Sequence, residues 1–241
     1  MDEKIKALAH KKRYTFDDLR AVVEVLRSEQ GCPWDREQTH LSIRENLIEE
    51  AYEVIEGIDN EDRELLKEEL GDVLFQIMFH SRIEEEQSSF SVDEVIDGIS
   101  RKMVHRHPHV FGDRQLDTTS QVLDAWDKIK AEEKSRISLS NKLQSIPRQF
   151  PALIRAEKVA EKSIKAKVVT TTAEEALAAA SAQIQALRTC SDPEAKEALL
   201  GEALFALSVY AERESLQAER ALTYRVDRLL DSIRNLEQIE K

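Results

Sequence analysis

Carboxylates at matched spacing are the chemistry-bearing feature of this chain. Glu50 and Glu53 stand three residues apart in Glu49-Glu50-Ala51-Tyr52-Glu53, and Glu69 and Asp72 stand three apart in Glu69-Leu70-Gly71-Asp72. On a helix that spacing stacks two side chains on one face. Two helices joined by the short polar stretch 57–62 aim four carboxylates at one point, and such a set of oxygen donors suits Mg²⁺ or Mn²⁺. On a wheel turning about 100° per residue, Asp72, Gln76 and His80 fall within about 60° of Glu69. Leu66, Leu70, Val73, Leu74 and Ile77 lie on one flank, with Phe75 and Phe79 on the other, so apolar residues surround the second pair. On the partner helix Glu49, Glu50 and Glu53 share a face, and Leu47, Ile48, Val54, Ile55 and Ile58 form the expected core side. Face to face, two like charges about 4 Å apart cost on the order of 4 kcal/mol at an effective dielectric of 20. A bound dication removes that cost. The competing reading is a solvated acidic face partnered by Lys and Arg.

The elements that must position these acids are helical. Glycine and proline are scarce, helix formers abound, and no stretch alternates as a series of strands, so an all-α fold is expected. Residues 1–15 read as a basic, loose lead-in. Thr15 is placed to cap a helix carrying Leu19, Val22, Val23 and Leu26, which Gly31-Cys32-Pro33-Trp34-Asp35 breaks. Helices are expected at about 44–58, 62–86 and 91–104, the last capped by Ser91 and ended by His107-Pro108. Residues 112–120 read as loop, 122–136 as a short charged helix, and 138–151, with two prolines, as linker. The expected division is a domain at 1–136, a linker at 137–150 and a second helical domain at 151–241.

That second block reads as a degenerate copy of the first. Leu70-Gly71-Asp72-Val73-Leu74-Phe75 is echoed by Leu200-Gly201-Glu202-Ala203-Leu204-Phe205, and Glu49-Glu50-Ala51-Tyr52-Glu53 by Glu174-Glu175-Ala176-Leu177-Ala178. In this register Ala178 replaces Glu53 and Leu199 replaces Glu69, so the copy lacks two of four ligands.

Several classes are excluded or disfavoured. A net charge of −12 argues against a nucleic-acid or anionic-membrane surface. Cys32 and Cys190 are too few for a disulfide framework and match no zinc spacing. With no apolar signal core and no run near the roughly 20 residues that span a bilayer, a cytoplasmic protein is expected. There is no Gly-x-x-x-x-Gly-Lys-Ser/Thr loop and no Glu-x-x-His pair on the acidic helices. Phosphates also need cations, and Lys102 and Arg106 offer two on one helical face. Trp34 and Trp126 are of a type that stacks on a nucleobase, though core or interface packing is the more ordinary role. His105, His107 and His109 read first as capping or packing residues.

Four motifs in order resemble the MazG-type nucleoside triphosphate pyrophosphohydrolases. They are Gly31–Asp35, the carboxylate set Glu49-Glu50-x-x-Glu53 with Glu69-x-x-Asp72, Arg106-His107-Pro108-His109-Val110-Phe111, and Trp126-x-x-x-Lys130. The resemblance covers about 16–136 strongly and 150–241 weakly. It implies an all-α fold of tandem helical bundles, each completed by homodimerisation. It further implies Mg²⁺-dependent hydrolysis of nucleoside triphosphates to monophosphate and pyrophosphate. By that resemblance Glu50, Glu53, Glu69 and Asp72 ligate the metal, and Glu49 or Glu53 orients or deprotonates the attacking water. Lys102 and Arg106 hold phosphates, while Trp126 and Lys130 reach the nucleotide from the same or the partner chain. Family members can be active in the second domain; here the degenerate second half is expected to serve dimerisation or regulation. A non-catalytic helical module that binds a nucleotide or a protein is the alternative.

Overall fold

A computed structural model describes residues 2–133 and 138–239. Every regular element among them is a helix. The chain divides into two compact units, residues 1–130 and 131–241. The boundary expected at 136 lies outside the described residues.

The first unit holds α1 (Asp2–Ala9), α2 (Phe16–Leu26), α3 (Pro33–Glu37), α4 (His40–Asp59), α5 (Arg63–Glu86), α6 (Val92–Arg106), α7 (Pro108–Phe111) and α8 (Thr119–Glu133). Thr15 and Ser91 form capping boxes with Asp18 and Glu94, each side chain taking the other's backbone N–H. Thr39 does the same with Ser42, so α4 starts four residues earlier than the apolar periodicity indicates. The lead-in is not loose. It forms α1, and the Tyr14 hydroxyl donates to the Leu8 carbonyl at 2.7 Å, folding the turn back on the helix.

Helix α5 is the centre of this unit: α2, α4 and α6 all pack on it. Val23, Ile43, Met78, Phe79, Ile83 and Val92 form the core, with Leu19 and Phe75 against it. Gly57 lets α4 close on α5, because a Cβ there would stand 2.8 Å from the Leu66 nitrogen. Gly31 permits the sharp return after α2. A Cβ at that position would meet the Val25 and Leu26 carbonyl oxygens at 2.1 and 2.3 Å. Gly31→Ala is therefore expected to destabilise the protein by about 2–3 kcal/mol in urea unfolding; an unchanged midpoint would show that the turn yields freely.

The wheel placed Ile48, Ile55 and Ile58 on the core side of α4, and the structure corrects this. Leu47 and Val54 are half-buried, but Ile48, Tyr52, Ile55 and Ile58 are exposed. Ile48, Tyr52 and Ile55 repeat at helical spacing on the face away from Glu50, so α4 carries a second apolar stripe that this unit does not cover.

The second unit holds α9 (Leu139–Gln144), α10 (Ala152–Lys165), α11 (Ala173–Thr189), α12 (Pro193–Arg213) and α13 (Ala218–Ile239). Within the stretch read as linker, α9 is capped by Ser138, and Lys142 accepts from the Lys162 ammonium through its carbonyl at 3.1 Å. The packing order repeats that of the first unit. Helix α11 lies along α12, and α10 packs on α12 as α2 does on α5. Thr172 caps α11 in a capping box as Thr39 caps α4, and Asp192 caps α12 as Asp62 caps α5.

Counting from cap to cap changes the register of the internal match. Ile43 then falls opposite Ala176, and Met78, Phe79 and Ser81 opposite Ser208, Val209 and Ala211, all of them buried. In this frame Glu50 and Glu53 correspond to Gln183 and Ala186, not to Glu175 and Ala178. The reason is visible at Glu175. Its carboxylate accepts the Thr172 backbone N–H at 2.8 Å and belongs to the cap. Glu69 and Asp72 keep their counterparts Leu199 and Glu202. By this count one of the four acids, Asp72, has an acidic counterpart in the second unit, against two by the sequence match.

Candidate metal centre

Helices α4 and α5 run against each other along the face that carries the acids. Ligand oxygens of Glu50, Glu69 and Asp72 lie within 4.8 Å of one another, the only such grouping of acids, histidines and cysteines among the described residues. Glu69 is 8% exposed, Glu50 half-buried and Asp72 open to solvent. Glu53, one turn on from Glu50, is half-buried beside them.

The electrostatics set this cluster apart from an ion-paired acidic face. Burial raises the Glu50 carboxyl above the usual glutamate range, followed by a hydrogen bond shared with Glu53 and the charges of Asp72, Glu53 and Glu49. Burial likewise raises Glu69, followed by the charges of Glu53, Asp72, Glu50 and Glu68. After burial, the leading charges on both groups are those of other carboxylates. Elsewhere in the same unit the opposite holds. Glu84 is lowered by hydrogen bonds from Ser89 and His40, and Glu86, although burial pushes it up, is held below the usual range by Arg27 and Arg82. Acids gathered without a cation fit a divalent ion bound through oxygen.

The remaining residues singled out from the sequence fall in other places. Glu49 is exposed on α4 and acts on Glu50 through its charge. Lys102 is exposed on α6. Arg106, on the last turn of α6, is half-buried, with its guanidinium 5.5 Å from the centroid of the Trp126 ring. The His107 ring meets the same indole edge-on at 4.8 Å, and its Nδ1–H donates to the Met103 carbonyl at 2.6 Å. Arg106 and Trp126 therefore form one cluster, with His107 packing against it. Lys130 is half-buried on α8 next to buried Ile129. Trp34 is 62% exposed on α3.

What holds Trp34's segment was not read from the sequence. Arg27, at the end of α2, donates through Nη1 to the Asp35 and Gln38 carbonyls at 2.6 and 3.1 Å. Its Nη2 pairs with Glu86 on α5 at 2.9 Å. Next to it, His40 Nε2 lies 2.7 Å from Glu84 and His40 Nδ1 lies 2.7 Å from His80 Nδ1. Arg27 with Glu86, and His40 with His80 and Glu84, are 40 or more residues apart, and no local pattern signals them.

The family model described as the MazG nucleotide pyrophosphohydrolase domain matches residues 38–111, which contain all four acids. The nucleoside triphosphate pyrophosphohydrolase/pyrophosphatase MazG of Thermotoga maritima is 34% identical over 224 residues, covering 93% of this chain and 86% of that protein. The nucleoside triphosphate pyrophosphohydrolase of Escherichia coli K12 is 42% identical over 145 residues, 60% of this chain and 55% of its own length. The uncharacterized protein YabN of Bacillus subtilis is 47% identical over 146 residues, 61% of this chain but 30% of its own length. The chain thus spans most of the Thermotoga relative and about half or less of the other two.

Proposed function

Because the chain belongs to the MazG nucleotide pyrophosphohydrolase family, we propose that it hydrolyses nucleoside triphosphates to the monophosphate and pyrophosphate, using Mg²⁺, or Mn²⁺ in its place, in the first unit. The observation that carries this reading is the cluster of Glu50, Glu69 and Asp72, whose charges act on one another with no cation between them. Glu50, Glu53, Glu69 and Asp72 hold the ion. Bound there, it supplies a Lewis acid for phosphate oxygens and favours hydroxide at neutral pH. Glu49 or Glu53 orients the attacking water and takes its proton. Glu53 has the closer access, since it shares a hydrogen bond with Glu50. Lys102 and Arg106 meet the phosphates, with Lys130 near them. Trp34 and Trp126 offer flat faces to the base, and the Trp126 face already carries the Arg106 guanidinium.

The second unit is, in this reading, a degenerate copy of the first without chemistry of its own. Gln183, Ala186 and Leu199 in place of three acids leave it the non-catalytic helical module of the second hypothesis, confined to one half. The bare stripe of Ile48, Tyr52 and Ile55 supports a homodimer in which a second copy completes the bundle. The net charge of −12 makes a nucleic-acid partner unfavourable, and no described helix is long and apolar enough to cross a membrane.

Pyrophosphate release from a panel of ordinary and damaged nucleoside triphosphates, with and without Mg²⁺, tests the assignment. Metal-dependent release with at least one nucleotide is expected, together with a rise in melting temperature on adding Mg²⁺ alone. No release across the panel and no metal-dependent shift would leave the binding-module reading for the whole chain.

A further inference from the structure

The acids lie between two pins that join α4 to α5. One is the close approach of Gly57 to Leu66. The other is built from His40, the first residue of α4, with His80 and Glu84 of α5. His40 precedes Glu50 by ten residues and His80 follows Asp72 by eight, about 15 and 12 Å along their helices. The two imidazoles stack with ring centroids 5.0 Å apart and planes 3° from parallel. The Glu84 carboxylate only accepts, so His40 Nε2 carries a proton toward it at 2.7 Å. That leaves the Nδ1 atoms facing each other at 2.7 Å, a contact that holds one proton, with one ring donating and the other accepting. A second proton within that contact would set donor against donor, and with His80 Nε2 protonated as well both facing rings would be imidazolium.

Among the described residues, the charge named as acting on the buried His80 ring is that of His40. From α4 and α5 the facing titratable groups are His40, His80 and Glu84. The walls of the adjoining cleft, about 460 Å³, come from Leu47, Ile77 and Ser81, and from Phe90 and Val95 at the start of α6. His80 Nε2 is buried without a partner among the described residues.

We propose that His40, His80 and Glu84 are positioning residues: the single proton between the two imidazoles latches the start of α4 to α5 and fixes the spacing of the carboxylates, and uptake of a second proton opens the latch. The effect on metal binding rests on the reading of the acids as a metal centre; the latch itself does not.

The sign of the pH effect follows from His80. Burial, and then the charge of His40, lowers its proton affinity below the ordinary histidine value of 6.5. The folded chain binds fewer protons than the unfolded one, so the latch contributes fully above that value and its contribution is lost as pH falls through and below it. His80→Asn keeps an N–H donor near the Nδ1 position and removes the titration. The natural chain is expected to lose about 5 °C of melting temperature between about pH 7.5 and about pH 5.5 relative to His80→Asn. Over the same interval its apparent Mg²⁺ affinity, read from pyrophosphate release, should weaken about tenfold more than that of the variant. Side-chain ¹⁵N spectra of the natural chain, with six histidines, should show one protonated Nδ1 shared by the stacked pair at about pH 7.5. Equal acid-side loss in both proteins overturns the latch, as does a folded chain at about pH 5.5 with Nδ1 protonated on both rings. The spectra decide the matter if the variant does not fold. Because melting and spectra need no turnover, a protein that hydrolyses nothing would still confirm or refute the latch.

Discussion

Glu69→Gln is expected to reduce pyrophosphate release about a thousandfold and, at the same time, to make the metal-free protein harder to unfold at neutral pH. The two effects have one cause. Glu69 is 8% exposed and faces Glu53, Asp72 and Glu50, so its charged form is unfavourable in the folded chain and its carboxyl is raised above the ordinary 4.5. A group raised on folding stabilises the protein below its unfolded value, and that contribution disappears as pH rises through the raised value. Near pH 7 the natural chain therefore carries an unrelieved repulsion, which the neutral isostere removes. Metal-free melting curves should place the variant above the natural chain at about pH 7 and converge with it toward about pH 4. With Mg²⁺ the order should invert, because a ligand that binds only the folded state stabilises it in proportion to the logarithm of its excess over the dissociation constant. A variant that melts lower without metal, or that keeps the full Mg²⁺ shift, would contradict a metal centre at Glu69.

Two carboxylates within a single helix show the contrast. Glu69 and Glu86 both lie on α5. Glu86 has Arg27 and Arg82 and is held down; Glu69 has only acids and is pushed up. Stability alone would not select the second arrangement, since each like-charged contact opposes folding. The second unit shows the same helix pair without that opposition. Gln183, Ala186 and Leu199 stand cap to cap where Glu50, Glu53 and Glu69 stand, and α11 and α12 still pack along each other. Restoring acids there would add repulsion to a helix pair that now lacks it.

What the sequence conveys is what acts over one or two helical turns. Thr15 and Ser91 cap as their types and spacing indicate, and Glu69 and Asp72 share a face because three residues make nearly one turn. Orientation is harder to read. Ile48 and Leu47 are equally apolar, and only the packing of α4 on α5 decides that Leu47 turns inward while Ile48 stays in solvent. Counting cap to cap gives the second unit another register than the sequence match does, for a related reason. Glu174 and Glu175 resemble Glu49 and Glu50 in type, but Glu175 closes a capping box at the first turn of α11, eight residues before the place Glu50 occupies. Contacts between distant residues, such as Arg27 with Glu86 or His40 with His80, leave no periodic trace.

Arg27 makes the largest structural prediction. Its side chain is 6% exposed, an unusual state for a guanidinium, and nearly all its donors are engaged. Nη1 serves two carbonyls of the segment that carries Trp34 and leads into α4; Nε and Nη2 grip Glu86. The plane also lies 5.1 Å from the centroid of Phe79, in the core. Arg27→Met retains the apolar stem and deletes every one of these bonds, taking the guanidinium donor from the Gln38 carbonyl and leaving the Asp35 carbonyl only the Gln38 N–H at 3.3 Å. Breaking a buried charged contact costs about 3–5 kcal/mol, and because Glu86 is partly exposed and keeps Arg82 the lower end applies. In a chain of this length that lowers the melting temperature by about 6–12 °C. Lysine should not rescue it, since a single ammonium cannot serve two carbonyls and a carboxylate in one plane. The acid limb should also change. Glu86 is held low in the natural chain, so its stabilisation is present above the ordinary 4.5 and fades as pH falls; in Arg27→Met that acid-side loss shrinks. Exchange of the amides at 36–40 should accelerate first, because their carbonyl anchors are gone, and KM for the nucleotide should rise more than kcat falls as Trp34 loses its fixed place. A melting temperature within about 2 °C of the natural chain, or full rescue by lysine, would show that the segment is held by its own turns and not by this guanidinium.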